Sequence, residues 1–310
     1  MPGHGARGKC RKPRFCIRLP VLAYRGSMRA VPLAAVLLLA ACSTHVGRPD
    51  APSPPPLRTD YRIERDVVFT PPGGPRLLAD VYRPAGAGPF PGVLLIHGGA
   101  WKRGDRGQVE GLAERLAERG YLVVNTTYRL VPAHVWPAQL HDVQQALRWM
   151  RSAQGAARGI DPARIGTFGY SAGGHLAALL GGMADDPRWG EGLAVRAVVA
   201  GGTPSDLPAF CHGTLVPAFI GKPCTEALAS YRDASPIAHG SRGEPPVFLY
   251  HAGLDRLVPI DQAERYKATL DHAGVTNEYF VIRGHGHISG FFFDGAAVDA
   301  ALDFLDRYLR

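Results

Sequence analysis

Gly169-Tyr170-Ser171-Ala172-Gly173 is the stretch on which the fold turns. It separates an apolar strand pattern, Arg164–Gly169, from a helical pattern, Ala172–Met183. A serine on a tight strand-to-helix turn, with glycine on either side, is the signature of a nucleophile elbow. The glycines are needed because the turn is sharp and neighbouring backbone comes close. The turn would expose the Ser171 hydroxyl at a helix N-terminus, whose dipole favours developing negative charge.

Strand and helix patterns alternate on both sides of this turn. Upstream, Arg62–Phe69 and Leu78–Tyr82 read as two antiparallel strands joined by Pro71-Pro72-Gly73-Gly74-Pro75. Gly92–His97 reads as a buried strand, Val109–Arg119 as an amphipathic helix, Tyr121–Thr127 as a strand and Pro137–Ala153 as a helix with proline in its first turn. Downstream, Val195–Ala200, Pro246–His251 and Glu278–Arg283 read as strands, and Asp261–Ala273 and Ala296–Tyr308 as helices. Residues 203–236 form a long excursion, expected to cap or line part of a pocket. Repeated βα units imply a mostly parallel sheet with helices on both faces.

Acyl-transfer chemistry needs more than a serine. The strand Gly92–Ile96 leads into His97-Gly98-Gly99-Ala100-Trp101, where glycine lets backbone N–H groups approach an oxyanion. Gly98 or Gly99, together with Ala172 after the nucleophile, are the candidate donors. His97 is expected to brace this loop. In this arrangement an acid and then a base follow later strands, in the chain order Ser, Asp, His. Asp255 follows Pro246–His251 and is the candidate acid, with Asp261 as runner-up at a helix start. Two histidines follow Glu278–Arg283, His285 and His287, and the strand spacing and the Gly286-His287 pair favour His287. A histidine suits proton transfer at neutral pH, and a carboxylate fixes its tautomer.

The net charge of +8 does not mark a nucleic-acid binder. Residues 1–41 hold eight of the 35 Lys and Arg and none of the 27 Asp and Glu, so the rest of the chain is neutral. Nucleic-acid binding would want a basic stripe on the folded part. At 46% hydrophobic and 20% charged residues, the composition allows a globular core.

The basic leader contains an apolar run, Ala30–Ala41, too short to span a bilayer, where about 20 residues are needed. It fits a secretory signal. A start at Met1 or at Met28 leaves the run in the leader. Leu39-Ala40-Ala41-Cys42 resembles the bacterial lipoprotein box, which implies cleavage before Cys42, lipid on its thiol and, with Ser43 next, an outer-membrane location facing the periplasm. Residues 42–60 are rich in proline and read as a tether, leaving 61–310 as the catalytic domain. Cys211 and Cys224 could pair in an oxidising compartment; the alternative is two free thiols. Two cysteines without matching histidines do not make a zinc set.

With these residues in place, the chain resembles the α/β-hydrolase esterases related to hormone-sensitive lipase. It is most similar to the branch holding bacterial feruloyl and acetylxylan esterase-like proteins and kynurenine formamidase. The resemblance covers residues 61–310. It is carried by His97-Gly98-Gly99-Ala100-Trp101, Tyr128-Arg129-Leu130-Val131-Pro132, Trp136-Pro137-Ala138, Gly169 to Ala177, Ala234-Ser235-Pro236-Ile237 and the Asp255 and His287 segments. Ala100 and Tyr170 stand where the hormone-sensitive lipase pattern often has a third glycine and an aspartate, which favours the feruloyl-esterase-like branch. The resemblance implies an α/β-hydrolase fold and a serine hydrolase of small or carbohydrate-linked carboxylic esters, with neither metal nor cofactor. An amide hydrolase of the kynurenine formamidase type is the alternative. His175, Arg129 and Asp142 match family positions and read as structural.

Overall fold

The computed structural model describes residues 43–50, 53–184, 186, 188 and 193–310. The leader and Cys42 lie outside them. The strands are β1 (Thr44–Val46), β2 (Tyr61–Val68), β3 (Leu78–Pro84), β4 (Phe90–Ile96), β5 (Leu122–Thr126), β6 (Ile160–Tyr170), β7 (Ala197–Gly201), β8 (Val247–Ala252) and β9 (Asn277–Ile282). The helices are α1 (Glu110–Glu118), α2 (Ala138–Arg151), α3 (Ala153–Ala157), α4 (Ala172–Gly182), α5 (Leu215–Ile220), α6 (Cys224–Asp233), α7 (Asp261–Ala273), α8 (His287–Phe292) and α9 (Gly295–Leu309).

The strands form one sheet in the order β1-β9-β8-β7-β6-β4-β5-β3-β2. The interior from β5 to β9 is parallel, and β1, β2 and β3 pair antiparallel at the two edges. Side chains alternate across each strand, so a strand buried on both faces reads as a continuous apolar run. In β4, Leu94 and Ile96 join the core beneath α2, α4 and α7, while Val93 and Leu95 join the core beneath α1 and α9. The expected mostly parallel sheet with helices on both faces is therefore observed, and β6, which carries the serine turn, lies near its centre.

One reading needs correction. The described residues of 43–60 do not stand free as a tether. Thr44, His45 and Val46 pair with Val281, Phe280 and Tyr279 as an edge strand. The cause is a buried carboxylate, since the Glu278 side chain has no solvent exposure. A charge so placed is costly unless paired. His45 Nε2 lies 2.8 Å from Glu278 Oε2, and Arg307 pairs with Oε1. Further along, Ser53 Oγ accepts from Arg307, the Pro55 carbonyl accepts from Arg310, and the Thr59 amide donates to Glu118 O. The Gly-rich segment after β9 becomes helical at His287 and forms α8.

The excursion at 203–236 contains α5 and α6, and a disulfide ties Cys211, ahead of α5, to Cys224 at the start of α6, with Cα atoms 5.3 Å apart. α5 carries Phe219, which is fully buried against the Trp101 ring, with centroids 4.2 Å apart.

Candidate active site

The site is built at the carboxyl ends of the parallel strands, where open α/β sheets bind ligands. Ser171 sits between β6 and α4 with φ 57° and ψ −122°, a strained conformation for a residue with a side chain. The flanking glycines allow it. A Cβ on Gly169 would lie 2.2 Å from Gly173 backbone, and one on Gly173 would lie 2.0 Å from Ile96 O. The turn is held by Ser171 N–H donating to Gly201 O at 2.7 Å.

Asp255 follows β8, and His287 opens α8 after β9. His287 Nε2 lies 2.8 Å from Ser171 Oγ, and Nδ1 lies 2.6 Å from Asp255 Oδ2. The consistent assignment has Nδ1–H donating to the carboxylate and Nε2 accepting the serine proton. Asp255 Oδ1 accepts the amides of Leu257 and Val258 at 2.9 and 2.8 Å. Burial works against charge on this carboxyl. Hydrogen bonds from His251 and His287, the His287 charge and the loop amides outweigh it and hold the group below the usual carboxylate range. The sequence order Ser, Asp, His thus becomes a continuous hydrogen-bonded chain.

The rivals fall away from it. Asp261 pairs with Arg265 on the first turn of α7, and His285 packs beside Phe293 with ring centroids 5.5 Å apart. His175 is fully buried. Its Nε2 lies 2.7 Å from Ala234 O, and its ring meets Trp101 edge-on. Burial pushes its pKa down to about 4, so it stays neutral as a packing residue. Arg129 and Asp142 form the expected brace, with two guanidinium nitrogens and the Arg129 amide on one carboxylate.

The glycine loop lies against the serine. A Cβ on Gly98 would meet Tyr170 O at 3.0 Å and the Ser171 side chain at 3.5 Å. Gly99, Ala100 and Trp101 all have positive φ. His97 braces the loop, as its sequence position implied. Its ring stacks on Tyr128 at 4.3 Å, and the Tyr128 hydroxyl donates to His97 O at 3.1 Å. Ala172 is the first residue of α4, so its amide has no acceptor within the helix. A carbonyl oxygen beside Ser171 would meet these amides, and its carbon would face a hydroxyl already bonded to a base. The arrangement suits acyl transfer.

Two positioning residues were not singled out by the sequence. Tyr170 donates its hydroxyl to His287 O at 2.7 Å and fixes the start of α8. His251, fully buried at the end of β8, has Nε2 2.8 Å from Val258 O and 3.4 Å from Asp255 Oδ2. The signal for Tyr170 was a hydroxyl-bearing aromatic where the related pattern has an acid. For His251 it was a lone histidine in an otherwise apolar strand.

The BD-FAE family model matches residues 79–270. The chain belongs to the BD-FAE family. A similar curated relative in sequence is the probable carboxylic ester hydrolase LipM of Mycobacterium tuberculosis, 35% identical over 70% of this chain and 54% of LipM. The chain spans somewhat over half the length of the curated relatives it matches most strongly. Among solved structures, a truncated carbohydrate esterase from gut microbiota superposes with a TM-score of 0.70, at 24% identity over 83% of this chain and 99% of that one. An acetyl ester-xyloside bifunctional hydrolase from Caldicellulosiruptor lactoaceticus superposes with a TM-score of 0.65, at 25% identity over 76% of this chain and 89% of that one. The fold is that of the α/β-hydrolases.

Proposed function

We propose that this protein hydrolyses carboxylic esters through an acyl-enzyme on Ser171. The observation that carries the reading is the unbroken Ser171–His287–Asp255 hydrogen-bonded chain beside the Gly98–Gly99 loop. Ser171 Oγ attacks the ester carbonyl carbon while His287 Nε2 takes its proton. The oxyanion is met by the Ala172 amide and by that of Gly98 or Gly99. The intermediate collapses, and the alcohol leaves with the proton from His287. Water, deprotonated by the same histidine, attacks the acyl-enzyme and releases the acid. Asp255 stays ionised and stabilises the imidazolium.

For substrate we take small or carbohydrate-linked esters. The likeness to the acetyl ester-xyloside hydrolase supports the carbohydrate side, and the likeness to LipM supports ester hydrolysis. The test is p-nitrophenyl acetate hydrolysis with a panel of acetylated sugars and feruloyl esters beside it. Ser171→Ala should abolish turnover of every ester the parent cleaves; full activity in that variant would overturn the reading.

We also propose that the mature chain is held at the cell envelope by lipid on Cys42, supported by the Leu39-Ala40-Ala41-Cys42 box. Among the described residues no helix is long and apolar enough to cross a membrane. Incorporation of an alkyne fatty acid, lost in Cys42→Ser, is the expected result, and no incorporation by the parent chain would contradict it.

A further inference from the structure

Ser43 lies only one residue before the fixed strand β1. β1 runs antiparallel to β9 with Thr44 opposite Val281, so the chain preceding Thr44 comes from the carboxyl end of β9. The Arg283 guanidinium clasps that point, donating to Thr44 Oγ1 at 2.8 and 3.2 Å. The carboxyl end of β9 leads directly into His287. An anchor on Cys42, two residues from Thr44, can stand no more than about 7 Å along the chain from it. The leash is too short to let the domain tumble freely, and it fixes which end of the sheet faces the anchor.

That end is apolar and cationic. Ile288 and Phe292 on α8 and Phe293 just after it are 61%, 69% and 68% exposed, and Leu254 and Leu257 in the Asp255 loop are 64% and 48% exposed. The two loops are tied together, since Leu254 N–H donates to His285 O at 2.8 Å. Exposed side chains of this size gathered on two tied loops mark an interaction surface rather than ordinary scatter. Arg256 and Arg283 are exposed in the same two loops, whereas Asp255 is buried and Asp294, next to Phe293, is half-buried. Apolar side chains with flanking cations match the acyl boundary and phosphate layer of a bilayer.

We propose that the face bearing Ser171 and His287 lies on the lipid surface that holds Cys42, with Ile288, Phe292, Phe293, Leu254 and Leu257 entering it. The ester reached by Ser171 is then one presented in the headgroup layer of that surface. This rests on the proposed acylation of Cys42, and the two can fail separately.

The test uses the full chain, processed and recovered from membranes, in vesicles of phosphatidylethanolamine and phosphatidylglycerol with brominated acyl chains. Phe293→Trp reports the proposed face. Ala163→Trp reports the opposite end of the sheet, at the start of β6. Each is read as the emission added to that of the parent chain. The emission added at 293 should fall at least about twofold with brominated lipid, and that at 163 should not change. Acylation is read in the same samples by mass spectrometry of the Cys42 peptide. An acylated chain whose residue 293 is not quenched overturns the docking and keeps the anchor. An unacylated chain quenched only at residue 293 removes the anchor and supports the docking face. A concentration-dependent blue shift at 293 without vesicles, with no quenching in them, assigns the face to a second copy of the chain and overturns the proposal.

Discussion

His251 Nε2 lies 3.4 Å from Asp255 Oδ2, and both side chains are fully buried. The same nitrogen lies 2.8 Å from Val258 O, in the loop whose amides cover Asp255 Oδ1. His251 therefore holds both the carboxylate and its cover. His251→Phe removes the donor and leaves a buried carbonyl unpaired, at a cost of about 1–3 kcal/mol. It should lower Tm and also reduce kcat. The loss of kcat should persist at temperatures well below the lowered Tm. A lower Tm with kcat unchanged below it would assign His251 to packing alone.

Gly173→Ala places a methyl group 2.0 Å from Ile96 O and 2.7 Å from His97 O. Both are backbone atoms, so no side chain can swing aside. We expect destabilisation of about 3 kcal/mol or more, roughly 6–12 °C in Tm, with loss of activity. Thermal melts and ester turnover of this variant check it.

The Cys211–Cys224 bond closes a short loop, with a sequence separation of 13. Chain entropy alone gives such a bond about 3 kcal/mol. α5 lies inside this loop, and its Phe219 packs on Trp101 in the Gly98–Gly99 loop. The double substitution Cys211→Ser with Cys224→Ser should lower both denaturation midpoint and kcat. Unchanged activity at unchanged stability would show that the bond supports neither.

Glu244 is buried beneath α7, with Oε1 2.5 Å from the Tyr266 hydroxyl and no partner for Oε2 among the described residues. Burial raises its pKa from 4.5 to about 7. Between these values the unfolded chain releases a proton that the folded chain keeps, so stability falls as pH rises through this window. Glu244→Gln should flatten that fall. Parallel melts at pH 4.5 and 7 decide it; an equal decline in parent and variant would exclude Glu244 as the cause.

The parts of the site legible in the sequence were those encoded locally. The glycine-flanked Ser171 sits on a turn whose strand, helix and glycines are all within a dozen residues. Asp255 and His287 each follow a recognisable strand, and chain order orients them. The parts not legible depend on distant partners. Thr44-His45-Val46 looks like polar linker because its reason to pair, the buried Glu278, lies 233 residues beyond His45. α8 is not among the helices legible in the sequence, because its start is held by the Tyr170 hydroxyl and its packing depends on Gly290 meeting Ala252. His251 is hidden in a buried strand, and only the folded chain sets its ring against Asp255.

The central claim is that Ser171 is a nucleophile activated by His287. Fluorophosphonate labelling of the native protein, followed by peptide mapping, tests it most directly. The adduct should sit on Ser171, disappear in the heat-denatured chain and form far more slowly in His287→Ala. Labelling of another residue, or equal labelling of Ser171 with and without His287, would contradict it.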